Sequence, residues 1–378
     1  MIDTIVLILS HDEFRILDHN KFSPSTEGLY NHYYRLGSRS NLICRQNPSP
    51  SELRGGIYKP RLSVTKRIDR YHNYETTLKV EFSAPKLLFG NNFDELNDID
   101  FPRVVQVLKQ KLEDMGVDVP EGSLINASVS TIHFSKNILL TDYTTPYTYL
   151  SLLTKININQ RLDMNQTDFR NGGHSLKYRA NSFEIAFYDK LKDLDKAKIS
   201  ERRAEERENS IQLNLFENIR RRKAFEILRM EVRLNKRQKI RQVLKCIELD
   251  IDPVFQSLFN KEIARKILLY YLKNIEAGYP PLLLYDYKNP ELFLSELLTL
   301  NPKIKLRRAL AILGLRDLID KKGVREFREI INRFDRTSWY RLKKEMESIS
   351  YPEDRDSFAV LRNAIEEFKS LKIIDFTY

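Results

Sequence analysis

Four short stretches of this 378-residue chain place reactive side chains at every second position. Lys79, Glu81 and Ser83 alternate with Leu78, Val80 and Phe82, and Thr131, His133, Ser135 and Asn137 stand against Ile132, Phe134 and Ile138. Glu184, Tyr188 and Lys190 oppose Phe183, Ile185 and Phe187, while Arg229, Glu231 and Arg233 oppose Leu228, Met230, Val232 and Leu234. Alternate side chains of a strand share a face, so each stretch reads as a strand with one polar and one apolar side. On a common sheet, the polar sides would gather carboxylates, an imidazole, a phenol and several cations. That inventory suits a divalent metal on oxygen and nitrogen ligands, with cations around it to receive phosphate. Each member also has a plain role. A strand Glu beside Lys or Arg commonly forms a solvent-face ion pair, a lone strand His is commonly structural, and 19 tyrosines leave packing as the ordinary use of any one. The chemical reading therefore depends on whether these strands are neighbours.

The elements that would position them alternate in type. Ile5-Val6-Leu7-Ile8-Leu9 is a short apolar run, and residues 128–138 are rich in β-branched and aromatic residues. Asn171-Gly172-Gly173 signals a turn before Ser175-Leu176-Lys177-Tyr178-Arg179, and a short Ala-Asn-Ser link to Phe183 predicts a hairpin. Residues 101–115 carry apolar side chains at 104, 105, 108 and 112, a helical period that ends at Gly116. Residues 146–157 and 191–216 read as further helices. Strands mixed with helices predict an α+β fold, an antiparallel sheet with helices on one face, over residues 1–250. From 251 to 378 the pattern is helical only, punctuated by Pro280-Pro281 and Pro302, and is expected to form a separate all-α domain.

Composition narrows the function. Lys and Arg number 63 against 52 Asp and Glu, a net charge of +11. Residues 196–246 hold 16 of the basic and 7 of the acidic residues, so +9 of that excess lies in one seventh of the chain. Glu201, Glu205, Glu206 and Glu208 balance the first part at helical spacing. The clusters Arg220-Arg221-Arg222-Lys223 and Lys236-Arg237-Gln238-Lys239-Ile240-Arg241 are not so balanced, and read as a phosphate-binding surface. No apolar run approaches the roughly 18 residues of a membrane span, and the first residues lack the basic lead of a secretory signal. Cys44 and Cys246, without CxxC spacing, argue against a zinc knuckle or disulfide scaffold and fit a reducing cytoplasm.

Several of these segments are familiar in combination. Glu81-Phe82-Ser83-Ala84-Pro85-Lys86-Leu87-Leu88-Phe89-Gly90-Asn91-Asn92, then Phe187-Tyr188-Asp189-Lys190, then Leu228-Arg229-Met230-Glu231-Val232-Arg233-Leu234 resemble, in order, motifs of the filamentous-phage gene II/gene X replication initiators. They also resemble plasmid rolling-circle initiators, whose patterns end in Tyr-(Asp/Glu)-Lys and carry Arg-x-Glu-(Val/Ile)-Arg. The resemblance spans about residues 1–245. It implies a site-specific DNA endonuclease and ligase of a bacterial host cytoplasm. A tyrosine becomes joined to the 5′-phosphate of origin DNA, single-stranded or supercoiled, with Mg²⁺ or Mn²⁺ and with a host helicase and polymerase as partners. Carried over, it makes Tyr188 the nucleophile, Lys190 its electrostatic helper, and Glu81, His133 and Glu231 the metal ligands. Arg229 and Arg233 join Arg220, Arg221, Arg222, Lys223, Lys236, Arg237, Lys239 and Arg241 as the DNA-binding set. Tyr178 is the alternative nucleophile. One departure stands out: His133 occupies a position where plasmid relatives tend to have Asp, and the two-histidine HUH signature is absent.

In the helical tail, Arg336-Thr337-Ser338-Trp339-Tyr340-Arg341-Leu342-Lys343-Lys344 has capping residues followed by a basic helical run. It reads either as the second helix of a helix-turn-helix or as a bundle helix with Trp339 in its core. Two further functional classes stay open: a non-catalytic DNA-binding replication regulator, and a metal-dependent hydrolytic nuclease.

Overall fold

The computed structural model describes residues 1–30, 42–49, 51–52, 57–68, 74–141, 144–156, 174–193, 225–278, 282, 289–335, 337–351 and 358–376. The turn at 171–173, most of the helix expected over 191–216, the cluster Arg220–Lys223 and Pro280-Pro281 lie outside them. The fold is mixed α+β. Among the described residues, eight strands form one sheet in which every neighbour is antiparallel. In chain order they are β1 (Ile2–Ser10), β3 (Leu42–Gln46), β4 (Arg61–Ile68), β5 (Tyr74–Ser83), β7 (Ser128–Leu139), β8 (Ser175–Arg179), β9 (Phe183–Asp189) and β10 (Ile227–Leu234). A separate small pair consists of β2 (Arg15–Ile16) and β6 (Val117–Asp118). Across the large sheet the order is β3-β4-β5-β1-β7-β10-β9-β8, so the four strands singled out by alternation lie within one sheet, β7, β10 and β9 side by side.

Alternation explains the layering. Val80, Phe82, Ile132, Phe134, Ile185, Phe187, Met230 and Val232 are buried on one side of the sheet. Helices cover this side: α1 (Glu27–Tyr30) and α2 (Ala84–Phe89) come first in the chain, followed by α3 (Phe101–Asp114), α4 (Glu121–Ile125) and α5 (Pro146–Thr154). Then come α6 (Arg237–Cys246), α7 (Phe255–Leu258) and α8 (Lys261–Glu276). Phe255 of α7 meets Phe82 edge-on at 5.9 Å, and Phe101 of α3 at 5.1 Å. Tyr271 of α8 meets Phe183 at 5.3 Å. Helix α3 begins with Pro102 in its first turn and ends before Gly116, whose φ of +79° lets the chain reverse. A Cβ there would come within 2.9 Å of the Asp18 side chain, so glycine is also demanded by space.

The tail is helical: α9 (Pro290–Leu300), α10 (Leu306–Phe334, broken at Gly323), α11 (Ser338–Glu347) and α12 (Ala359–Glu367). The buried core runs without interruption from the sheet into α8, α10, α11 and α12. Trp339 is buried and packs edge-on Phe327 at 6.4 Å, as the bundle-core reading expects. No helix among the described residues is long and apolar enough to cross a membrane.

Candidate functional site

On the polar side of the sheet, the ladder registers arrange side chains as a grid, because residues directly opposite in an antiparallel pair share a face. Across β8, β9, β10 and β7, one row is Arg179, Glu184, Arg233 and His133. The next is Lys177, Ala186, Glu231 and Ser135, and the third is Ser175, Tyr188, Arg229 and Asn137. Three of the four strands were recognised from their alternation as carrying the candidate site, and the register fixes which of their residues meet.

At the centre, the Tyr188 hydroxyl donates to Glu231 Oε2 at 3.2 Å. Arg233 grips the same carboxylate with two bonds, Nε to Oε1 at 3.0 Å and Nη2 to Oε2 at 3.1 Å. His133 Nδ1 lies 3.4 Å from Oε1. Asp3 completes the group, for one ligand atom from each of Asp3, His133 and Glu231 lies within 4.8 Å of the others. Asp3 sits where β1 slips against β7: Ile2 pairs Phe134 but Ile5 pairs Ile132, leaving one extra residue on β1. Its Oδ1 is buried, 3.1 Å from Arg229 Nη2 but without an aligned hydrogen bond. Two carboxylates and an imidazole, one oxygen still unsatisfied, fit a Mg²⁺ or Mn²⁺ donor set, the nitrogen favouring Mn²⁺.

The electrostatics follow from burial and pairing. Burial opposes ionisation of Glu231, but Arg233 and His133 outweigh it and hold the carboxyl well below its ordinary 4.5. Burial pushes the Tyr188 phenol well above its ordinary value, Glu231 adding to the rise and Arg229 opposing it. The phenol is therefore neutral at neutral pH, with its proton already pointed at a carboxylate. Arg229 is 2% exposed, its Nη1 donating to Asn92 O (2.8 Å) and Asn137 Oδ1 (3.2 Å), its Nη2 to Ser135 Oγ (2.8 Å).

A loop reaches this end of the sheet from α2. Gly90, at φ +72°, turns the chain, and buried Asn91 locks the turn by accepting from the amides of Phe93 and Asp94. Asn92 then meets two cations, its carbonyl taking Arg229 and its Oδ1 accepting from Lys190 Nζ at 2.8 Å. Glu95 continues on to the buried Lys136 at 2.6 Å. The Gly90-Asn91-Asn92 segment thus acts as a strap under the site.

The expected site residues divide accordingly. Tyr188, Glu231, His133, Arg229 and Arg233 converge. Glu81 does not: it faces Val6 of β1, which faces Thr131 of β7, so a strand separates it from His133. With strands about 4.8 Å apart, that displacement is roughly 10 Å, and Glu81 instead pairs Lys79 at 3.0 Å. Asp3 stands beside His133 and Glu231 in its place, and the signal for it was a lone carboxylate within the apolar start of β1. Lys190 is fully buried, its pKa lowered to about 7 by burial and by Arg229, so it lies beneath the face and not on it. Tyr178 is on the helix-covered side, its hydroxyl donating to Leu153 O at 2.7 Å, and burial raises its pKa. Lys236, Arg237 and Arg241 are exposed at the start of α6, with Arg241 3.2 Å from Asp252. Lys239 lies 4.6 Å over the Phe183 ring.

No known protein family, curated protein or solved structure matches this chain.

Proposed function

We infer that this chain is a DNA-nicking and rejoining enzyme, an initiator of rolling-circle replication acting through a tyrosine–5′-phosphate intermediate. The observation that carries it is the Tyr188 hydroxyl donating to Glu231 beside an aspartate and a histidine of metal-ligating type. An ordinary packing tyrosine needs no such partners. The order of the Tyr188, Lys190 and Arg229–Arg233 motifs and the basic excess around them support the same reading.

The Tyr188 oxygen attacks the scissile phosphorus. The Tyr–O–P bond forms, the P–O3′ bond breaks, and the departing 3′-oxygen takes up a proton to become the 3′-OH that primes synthesis. The tyrosine proton passes to Glu231 Oε2, the acceptor it already faces. Arg233, its side chain 26% exposed, receives phosphate charge, while Arg229 and Asn137 fix the floor. Asp3, His133 and Glu231 would hold a divalent ion, which polarises the phosphate when bound. Resealing reverses the attack, with the 3′-OH displacing the tyrosine and Glu231 returning the proton. Origin DNA is the substrate, with the host helicase and polymerase acting downstream in the host cytoplasm.

Covalent capture tests this reading. Fluorescent single-stranded oligonucleotides tiling the DNA around the chain's own gene are incubated with the protein and Mn²⁺ or Mg²⁺, then denatured. A protein–DNA adduct that Tyr188→Phe abolishes is expected. Nicked product without adduct would assign the site to hydrolysis by water. Binding without nicking under both metals would assign the chain to the non-catalytic regulators.

A further inference from the structure

One polar cluster beside the proposed nicking centre shares only Arg233 with that chemistry. Glu184, at the cross-strand position next to Arg233, is held by three cations at once. Arg233 Nη1 lies 2.9 Å from Oε1, Lys177 Nζ lies 3.6 Å from Oε1, and Arg179 Nε lies 3.1 Å from Oε2. Glu184 accepts what these groups offer, but cannot satisfy them. Two guanidiniums and an ammonium carry far more N–H donors than one carboxylate has lone pairs. The shortfall is visible, since Arg179 Nε is buried without an aligned hydrogen bond. Arg233 also divides itself between Glu184 and Glu231. Burial, followed by repulsion from Arg233, lowers the Lys177 pKa.

Position gives the crowding a use. Lys177 and Arg179 lie on β8, the outermost strand of the sheet among the described residues, and their side chains are only partly buried. Glu184 and Tyr188 share one face of β9 four residues apart, roughly 13 Å along the strand. Contacts link the two without a gap: Tyr188 to Glu231, Glu231 to Arg233, Arg233 to Glu184. A DNA strand whose scissile phosphate lies at Tyr188 would bring another of its phosphates over Glu184.

We propose that Lys177, Arg179 and Arg233 form a phosphodiester subsite for the single strand flanking the scissile bond, and that Glu184 occupies it in the absence of DNA. This rests on reading the sheet face as a DNA-nicking site. A phosphodiester carries the same single charge as Glu184 and offers oxygens to more of the donors. Bidentate arginine geometry suits it. Glu184 then acts as an internal competitor that keeps three close cations neutralised until a strand arrives. The occupant assigned is single-stranded DNA, because the cluster continues the chain of contacts that begins at Tyr188, the proposed nucleophile.

The test is equilibrium binding of a fluorescent single-stranded oligonucleotide, measured by anisotropy in EDTA across a range of salt concentrations. Without divalent ion, binding is read separately from nicking. Glu184→Gln removes the competing charge and is expected to tighten binding on the order of tenfold. The double variant Lys177→Ala/Arg179→Ala is expected to weaken binding and to flatten the slope of log K against log salt by about 0.7, one phosphate on a single strand. Glu184→Gln binding no tighter than wild type, with its thermal unfolding intact, would make the cluster a structural ion-pair network and overturn the proposal. Where Glu184→Gln does not fold, the double variant decides, because it truncates only two partly exposed side chains; an unchanged slope overturns the proposal. Loss of the covalent adduct assay with these binding effects retained would remove the nicking reading and leave the subsite standing as a strand-binding site.

Discussion

Tyr188 and Glu231 lie on adjacent antiparallel strands, not directly opposite one another, yet the phenol reaches diagonally to donate to the carboxylate at 3.2 Å. The diagonal is open because Ala186, the residue directly opposite Glu231, has too small a side chain to block it. Glu231 is thereby the meeting point of the phenol, the Arg233 fork and the His133 ring.

On the proposed mechanism, that convergence gives Glu231 a chemical role as well as a structural one. Glu231→Gln keeps an acceptor for the phenol but loses proton affinity, and adduct formation is expected to fall by about 10²–10⁴. Glu231→Ala leaves Arg233 without its buried partner and is expected to cost about 3–5 kcal/mol by urea unfolding. The sign in pH follows. The folded-state pKa is depressed below 4.5, so this contribution is complete above 4.5 and is lost as pH falls through the lower folded value. Acid unfolding of wild type should therefore be steeper below pH 4.5 than that of Glu231→Ala.

Lys190 supplies the opposite dependence. Its pKa falls from 10.5 unfolded to about 7 folded because its ammonium is fully buried. Between those values the unfolded chain binds more protons, so stability rises with pH through this window. Melting temperatures of wild type and Lys190→Met, compared from pH 7 to pH 10, should diverge in that direction, with a slope in wild type that the variant lacks.

Metal affinity separates the two ligand sets. Asp3→Asn and His133→Ala are expected to weaken Mn²⁺ binding, followed by paramagnetic resonance of the ion, by about tenfold or more each. Glu81→Gln should leave it unchanged, since Glu81 pairs Lys79 across from β1. A loss on Glu81→Gln equal to that of His133→Ala would restore the ligand set expected from the sequence.

The single tryptophan reports on the tail. Trp339 is buried in a core continuous with the sheet. Its fluorescence change and the far-ultraviolet circular dichroism are expected to coincide in urea, as one cooperative unit requires. A Trp339 transition at lower urea would establish residues 251–378 as an independent domain.

Much of the polar face was legible in the sequence, because a strand's period of two decides which of its side chains share a side, whatever its neighbours. Alternation alone placed His133 with Ser135, Glu231 with Arg233, and Tyr188 with Glu184. It also marked the apolar sides that helices cover, and residues 101–114 showed their helix by their own spacing. Strands β3 and β4, at the far edge of the sheet, were not picked out, since their alternation is short or interrupted by charge.

What pairs with what depended on tertiary structure. Hydrogen-bonded neighbours are chosen by the whole sheet, so β10 sits between β7 and β9 although it follows both in the chain. The same order inserts β1 between Glu81 and His133, and an extra residue in β1 brings in Asp3 instead. Burial of Arg229 and Lys190 arises from the Asn92 loop packing against strand ends distant in sequence, and no local pattern encodes that. Charge and periodicity by themselves determined a basic chain with strands of mixed polar and apolar faces. Only the three-dimensional ladder decided that a phenol, two carboxylates and an imidazole occupy one place, because contact between distant residues is a property of register and not of composition.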